Sequence, residues 1–137
     1  MRAVSAGQFY RVQDSDGRGP FKPGMSDRWR DPDGRDFPPA QAEFGLSWRE
    51  EIPLGWHVGC AVRDIAQAAR WFSPWECFRL AALGYRLVSL DGRALRESPH
   101  QVIIVRSKPL RWGVTSMPWP HMAEAALDPW KLTEMAQ

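Results

Sequence analysis

The sequence is short of several things at once. Its 137 residues include 2 Cys, 3 His and 2 Tyr, and its formal net charge is only +2. Two cysteines, Cys60 and Cys77, cannot build a disulfide framework. They read as the reduced thiols of a cytoplasmic protein. His57-x-x-Cys60 is the one close pair of metal-binding residues, whereas zinc sites normally carry two such pairs, so no metal site is expected. Arginine and aspartate are neighbours at Asp27-Arg28, Arg30-Asp31 and Arg35-Asp36, a mixed-charge surface rather than a basic face. That pattern excludes bulk nucleic-acid binding, which collects one sign of charge on one side. No apolar run approaches the roughly eighteen residues of a membrane span. The first residues, Met1-Arg2-Ala3-Val4-Ser5, lack the apolar stretch of a secretory signal. A phosphate loop is missing too: in Gly17-Arg18-Gly19-Pro20 the proline removes a needed N–H, so the segment reads as a turn.

What is there is tryptophan, proline and glycine, with 8, 12 and 11 residues respectively. Eight indoles imply a well-built core or an adhesive face, since each buries a large ring and seeks a partner for its N–H. The prolines and glycines crowd the segment from Asp16 to Pro53, through which no long helix can pass; only Gln41–Glu51 leaves room for a turn or two. Phe21, Trp29, Phe37, Phe44 and Trp48 recur along this segment as anchors that pin it to the domain. The length suits one domain, 1–137, with a core at 8–110 and an irregular C-terminal extension at 111–137.

The core pattern predicts an α+β fold: a small mixed or antiparallel sheet, two central helices and the long irregular N-terminal loop region. Gln8–Gln13 reads as a strand, with Phe9, Arg11 and Gln13 on one face and Tyr10 and Val12 on the other. An edge position would leave Arg11 on the wet side. Trp56–Cys60 reads as a short strand ended by Gly59. A helix follows over 61–72, with Val62, Ile65, Ala66, Ala69 and Phe72 or Trp71 as its apolar stripe. Ser73, Pro74 and Glu76 form a capping box at the start of a second helix, which Gly84 stops. Its inward face is expected to carry Trp75, Phe78, Ala82 and Leu83. Tyr85–Leu90 is a strand, Asp91-Gly92 a tight turn, and Arg93–Arg96 a short returning strand. Gln101–Arg106, with four consecutive aliphatics, belongs in the centre of the sheet, covered on both faces. Trp112–Pro120 reads as irregular, and a helix is expected from about Met122 to Leu127.

Three short motifs stand in an order of interest: Tyr10-Arg11-Val12 before the loop Asp14–Pro20, Val58-Gly59-Cys60-Ala61 before the alanine-rich Ile65–Ala69, and Pro99-His100-Gln101-Val102. Together they resemble the ADP-ribosyltransferase fold of the Arg-Ser-Glu type found in cholera-like toxins. The resemblance implies an NAD cleft. Arg11 and Gln101 would be its catalytic-position residues, and Tyr10, Arg11, His57 and Cys60 would line the cofactor. Gln101 stands where that group has a glutamate, and Cys60-Ala61 where it has a hydroxyl residue, so the implied transferase is weak or inactive. The look is also that of a small prophage protein. This suggests an alternative: a non-enzymatic inhibitor of a host or defence protein, for example an anti-CRISPR, binding through Trp29, Trp48, Trp112, Trp119 and Trp130.

Overall fold

The computed structural model describes residues 5–21, 24–31 and 38–121. They form an α+β domain: an antiparallel, curled sheet of five strands with three short helices. The strands are β1 (Ser5–Gln13), β2 (His57–Ala61), β3 (Arg86–Glu97), β4 (Val102–Arg106) and β5 (Thr115–Met117). The helices are α1 (Ala40–Phe44), α2 (Ile65–Trp71) and α3 (Pro74–Ala82). The sheet order is β1-β3-β4-β2, and β5 pairs with β3.

The sheet closes on itself. Tyr10 and Val62 exchange backbone bonds of 2.9 and 2.8 Å, joining the first strand to the chain just beyond the last strand of the path. Closure gives the curl an inside, packed by Phe9, Val88, Leu90, Val102 and Ile104. A second cluster lies between β1, β3 and the helices, around Trp29, Val62, Phe72, Leu80 and Leu87. The third covers the outer face of β4, where Ile103 and Val105 meet Trp48 and Leu95, with Phe44 and Trp56 beside them. β4 is therefore buried on both faces, as its uninterrupted aliphatic run predicts.

Two expectations about the helices are corrected. The first helix is shorter than 61–72, because residues 57–61 continue as strand and Asp64 caps α2 by accepting from the Gln67 N–H. Its buried residues are Gln67 and Ala68, while Ala66 is exposed. Gln67 can go inside because it is bonded at both ends: Oε1 accepts from the Arg63 N–H at 2.7 Å and Nε2 donates to Pro99 O at 2.8 Å. The capping box on α3 forms as read, and Gly84 has φ 93°. Its inward residues, however, are Glu76, Cys77 and Leu80. Glu76 fixes the rotation, for its carboxylate accepts from the Ser73 and Asp31 N–H groups, 2.9 Å each. Trp75 and Phe78 then stack on each other, half-buried, with centroids 5.7 Å apart.

Asp91-Gly92 is not a turn. β3 runs straight through it for 12 residues, pairing Gly92 with Gly7. A Cβ on Gly92 would lie 3.3 Å from Val105 O, so the glycine serves a close approach of the neighbouring strand β4. Asp91 instead holds buried Arg106 by a 2.7 Å ion pair. The segment expected to be irregular contains β5, and a 3-10 turn spans Ser26–Arg28. Phe37, Trp130 and the helix expected from Met122 lie outside the described residues.

Candidate functional site

A cavity of about 710 Å³ opens where β1 meets the end of β2. Aromatic rings make up much of its wall: Tyr10, Phe21, Trp29, Trp71 and Phe72. They brace one another, with Phe21 edge-on to Trp29 at 5.1 Å and to Trp71 at 5.8 Å, and Trp29 tilted on Phe72 at 5.5 Å. Both indole N–H groups are spoken for, Trp29 donating to Pro20 O at 3.1 Å and Trp71 to His100 O at 2.6 Å. These bonds fix the described part of the loop around Trp29, which is fully buried and packs with residues of α2 and α3.

The polar part of the wall is mainly cationic and amide, from Arg11, Arg18, Arg30 and Gln101. Arg11 lies on the inner face of β1 beside Phe9 and Gln13, not on a wet outer face. Its Nε donates to Gln13 Oε1 at 2.9 Å, Nη1 to Cys60 O at 2.8 Å and Nη2 to Gly17 O at 3.0 Å. One guanidinium thereby ties β1, β2 and the 14–21 loop together, next to the Tyr10–Val62 bridge. Glycines admit it: a Cβ on Gly59 would sit 3.2 Å from Nη1, and one on Gly19 3.5 Å from Nη2. Burial pulls the pKa of Arg11 below its ordinary value, with Cys60 and Asp14 acting in the other direction.

Gln101 immediately precedes β4 and reaches the cavity wall from there. Its Nε2 donates to Pro38 O at 2.9 Å and to Glu43 Oε1 at 2.8 Å. Glu43, on α1, is a neighbour that the sequence reading did not find. Pro38-Pro39 ahead of an alanine was a signal for a helix start, but nothing in the spacing says that this helix reaches β4.

Of the residues singled out from the sequence, Tyr10, Arg11, Cys60 and Gln101 lie on the wall of this cavity. His57 does not; it is exposed at the start of β2, paired across the ladder with Arg106. Cys60 reaches solvent, yet desolvation by the groove around its thiol pushes its pKa up, outweighing the opposing pull of Arg11. Cys77 is buried and its thiol is pushed up to about 12, chiefly by burial. Neither is an activated nucleophile. Among the described residues, Glu76 is the one carboxylate on the cavity wall, and it is committed to two backbone N–H groups. Among the described residues, no three His, Cys, Asp or Glu side chains gather where they would hold a metal ion. No helix among them is long and apolar enough to cross a membrane.

The fold and cavity define a small α+β cleft protein with an aromatic and cationic lining and no assembled catalytic set among the described residues. Residues 1–117 match the family model described as bacteriophage T4 Y00F protein, and the chain belongs to that family of phage proteins. No curated protein and no solved structure matches it.

Proposed function

We propose that this phage protein binds a nucleotide-class ligand, NAD or a relative, in the cavity at the sheet seam, and that it has little or no transfer activity. The observation that carries the reading is the pairing of braced aromatic rings with three arginines around one space of about 710 Å³. Small-molecule sites fall in the range of roughly 300–1,000 Å³. Flat rings suit a base or a nicotinamide, and guanidinium forks suit phosphates. Arg11 uses one N–H on each of its three nitrogens for structure, so a further N–H on each Nη is left for a ligand. In this reading Arg11 and Arg18 meet the phosphates, Tyr10 and Cys60 flank them, and His57 stands outside.

The likeness to ADP-ribosyltransferases rests on the sequence motifs. A transferase needs negative charge beside the ribose as nicotinamide leaves, and Gln101 supplies none. Losing one such contact costs about two to three powers of ten in rate. The reading places the protein in the cytoplasm, where such nucleotides are abundant.

Thermal denaturation with millimolar NAD, ADP-ribose or AMP tests the proposal. Ligand at a hundred times its Kd should add about 2.7 kcal/mol and raise the Tm, and Arg18→Ala should reduce that rise. No rise with any of the three would refute it. A second reading, capture of a host or defence protein, draws on Trp112, 55% exposed beneath Arg111, and on exposed Phe21 and Leu54. Trp29 and Trp48 are buried and Trp119 packs on the core, so they lend it nothing; Trp130 lies outside the described residues. Pull-down from infected cells with Trp112→Ser as the control separates the two.

A further inference from the structure

We infer that Gln101 is a fixed hydrogen-bond acceptor in the cavity and therefore selects a ligand that presents an N–H or O–H donor to it. The inference rests on the nucleotide reading and adds to it the polarity of the contact.

Gln101 lines the cavity and is only 4% exposed. A primary amide carries two N–H donors and one acceptor oxygen, and rotation about its last bond normally lets either end face a ligand. Here that freedom is gone. Both groups met by Nε2, Pro38 O and Glu43 Oε1, are acceptors, and each takes one of its two N–H groups. Turning the amide over would aim Oε1 at a carbonyl and a carboxylate, two repulsive contacts in place of two bonds. The backbone at Gln101 is also tied, its N–H donating to Ser98 Oγ at 3.2 Å. Oε1 accepts from no described residue, and it is not among the sealed side-chain atoms left without a partner, which are Tyr85 Oη and Arg106 Nε. It therefore keeps access, and the cavity is the space that the side chain borders.

A fixed acceptor discriminates strongly, because a ligand without a donor leaves it dry and unpaired. On a nucleotide two groups can supply the donor: an exocyclic amino group on the base, or the ribose hydroxyls. Glu43 is a positioning residue in this scheme, since it holds the amide without itself lining the cavity.

Calorimetry with three ligands tests the inference: AMP, purine riboside monophosphate, which lacks the amino group, and dideoxyadenosine monophosphate, which lacks the hydroxyls. In the wild-type protein one of the two analogues should bind at least about ten-fold more weakly than AMP. Which one does so identifies the donor. Gln101→Met keeps the shape of the side chain and should erase that difference. Glu43→Gln, which frees the amide to turn, should shrink it while AMP still binds. Equal binding of all three ligands by the wild-type protein overturns the inference and leaves the nucleotide reading standing. Binding of none of them overturns the inference, and, joined to the absence of any thermal shift with NAD or ADP-ribose, overturns the nucleotide reading as well.

Discussion

Replacing Arg11 should loosen the sheet at its seam. In Arg11→Met the apolar stem is kept and three hydrogen bonds are lost, to Gln13 Oε1, Cys60 O and Gly17 O. Their costs differ. Gln13 is completely buried, and its only other side-chain bond among the described residues is the one from Nε2 to Leu110 O, so its Oε1 is left dry. An unsatisfied buried acceptor costs about 1–3 kcal/mol. Cys60 lines the cavity, where water can replace the guanidinium, so loss of the bond to its carbonyl is nearer to about 0.5–1 kcal/mol, whereas Gly17 is buried off the cavity wall and its carbonyl adds about 1 kcal/mol. Relief of burying a cation offsets part of this. The net expectation is a loss of about 2–3 kcal/mol, a large part of the stability of a domain this size. Arg11→Lys should recover less than half, because one ammonium cannot span three acceptors in a plane. Urea unfolding followed by tryptophan fluorescence measures both variants. If Arg11→Met moved the folding free energy by less than about 0.5 kcal/mol, the seam would be held by the Tyr10–Val62 bridge alone and the reasoning would fail.

Other outcomes follow from the same structure. Ser73→Ala removes the side-chain acceptor for the Glu76 N–H and should cost about 1 kcal/mol in chemical denaturation. Leu80→Ala empties a fully buried site between α3 and the sheet and should cost about 2–5 kcal/mol by the same assay. Hydrogen bonds from Arg106 and Arg63 hold the carboxyls of Asp91 and Glu97 below the usual carboxylate range. Their contribution is present above the unfolded pKa values near ~4 and is lost as pH falls through the lowered folded values. Both carboxylates are largely exposed, so the effect is under about 1 kcal/mol each. Asp91→Asn should flatten the acid limb of a stability–pH curve, and an unchanged limb would contradict the assignment. In the native protein a disulfide reagent at pH 8 should titrate Cys60 alone; Cys77, with its thiol at about 12, should react only on unfolding.

Much of the scaffold was legible because it is written locally. Ser73, Glu76 and Gly84 are a start and a stop within one short segment, and the aliphatic run at 102–105 needs cover on both sides wherever it lies. The failures share a cause. Asp91-Gly92 has the composition of a turn, but its environment is set by Arg106 and by the Val105 carbonyl on the neighbouring strand, neither of which is near in sequence. Gln67 and Glu76 look like surface residues until their partners at Pro99 and Asp31 are known. The face of α3 turned with Glu76, moving Trp75 and Phe78 outward. The cavity was partly foreseeable. An arginine amid apolar strand residues marked one wall, while Trp71 and Phe72 gave no sign of converging on it, because contacts across the fold place them.

β1 has one full-length partner, β3, and that partner comes from Arg86–Ala94, late in the chain. During synthesis the first strand leaves the ribosome with no surface to pair with, and Phe9, Trp29 and Trp48 stay uncovered until most of the polypeptide has been made. Pairing over such sequence distances is slow and leaves sticky intermediates waiting. Ribosome-bound chains truncated before Arg86 should be protease-sensitive throughout, with protection arriving in one step once β3 and β4 have emerged.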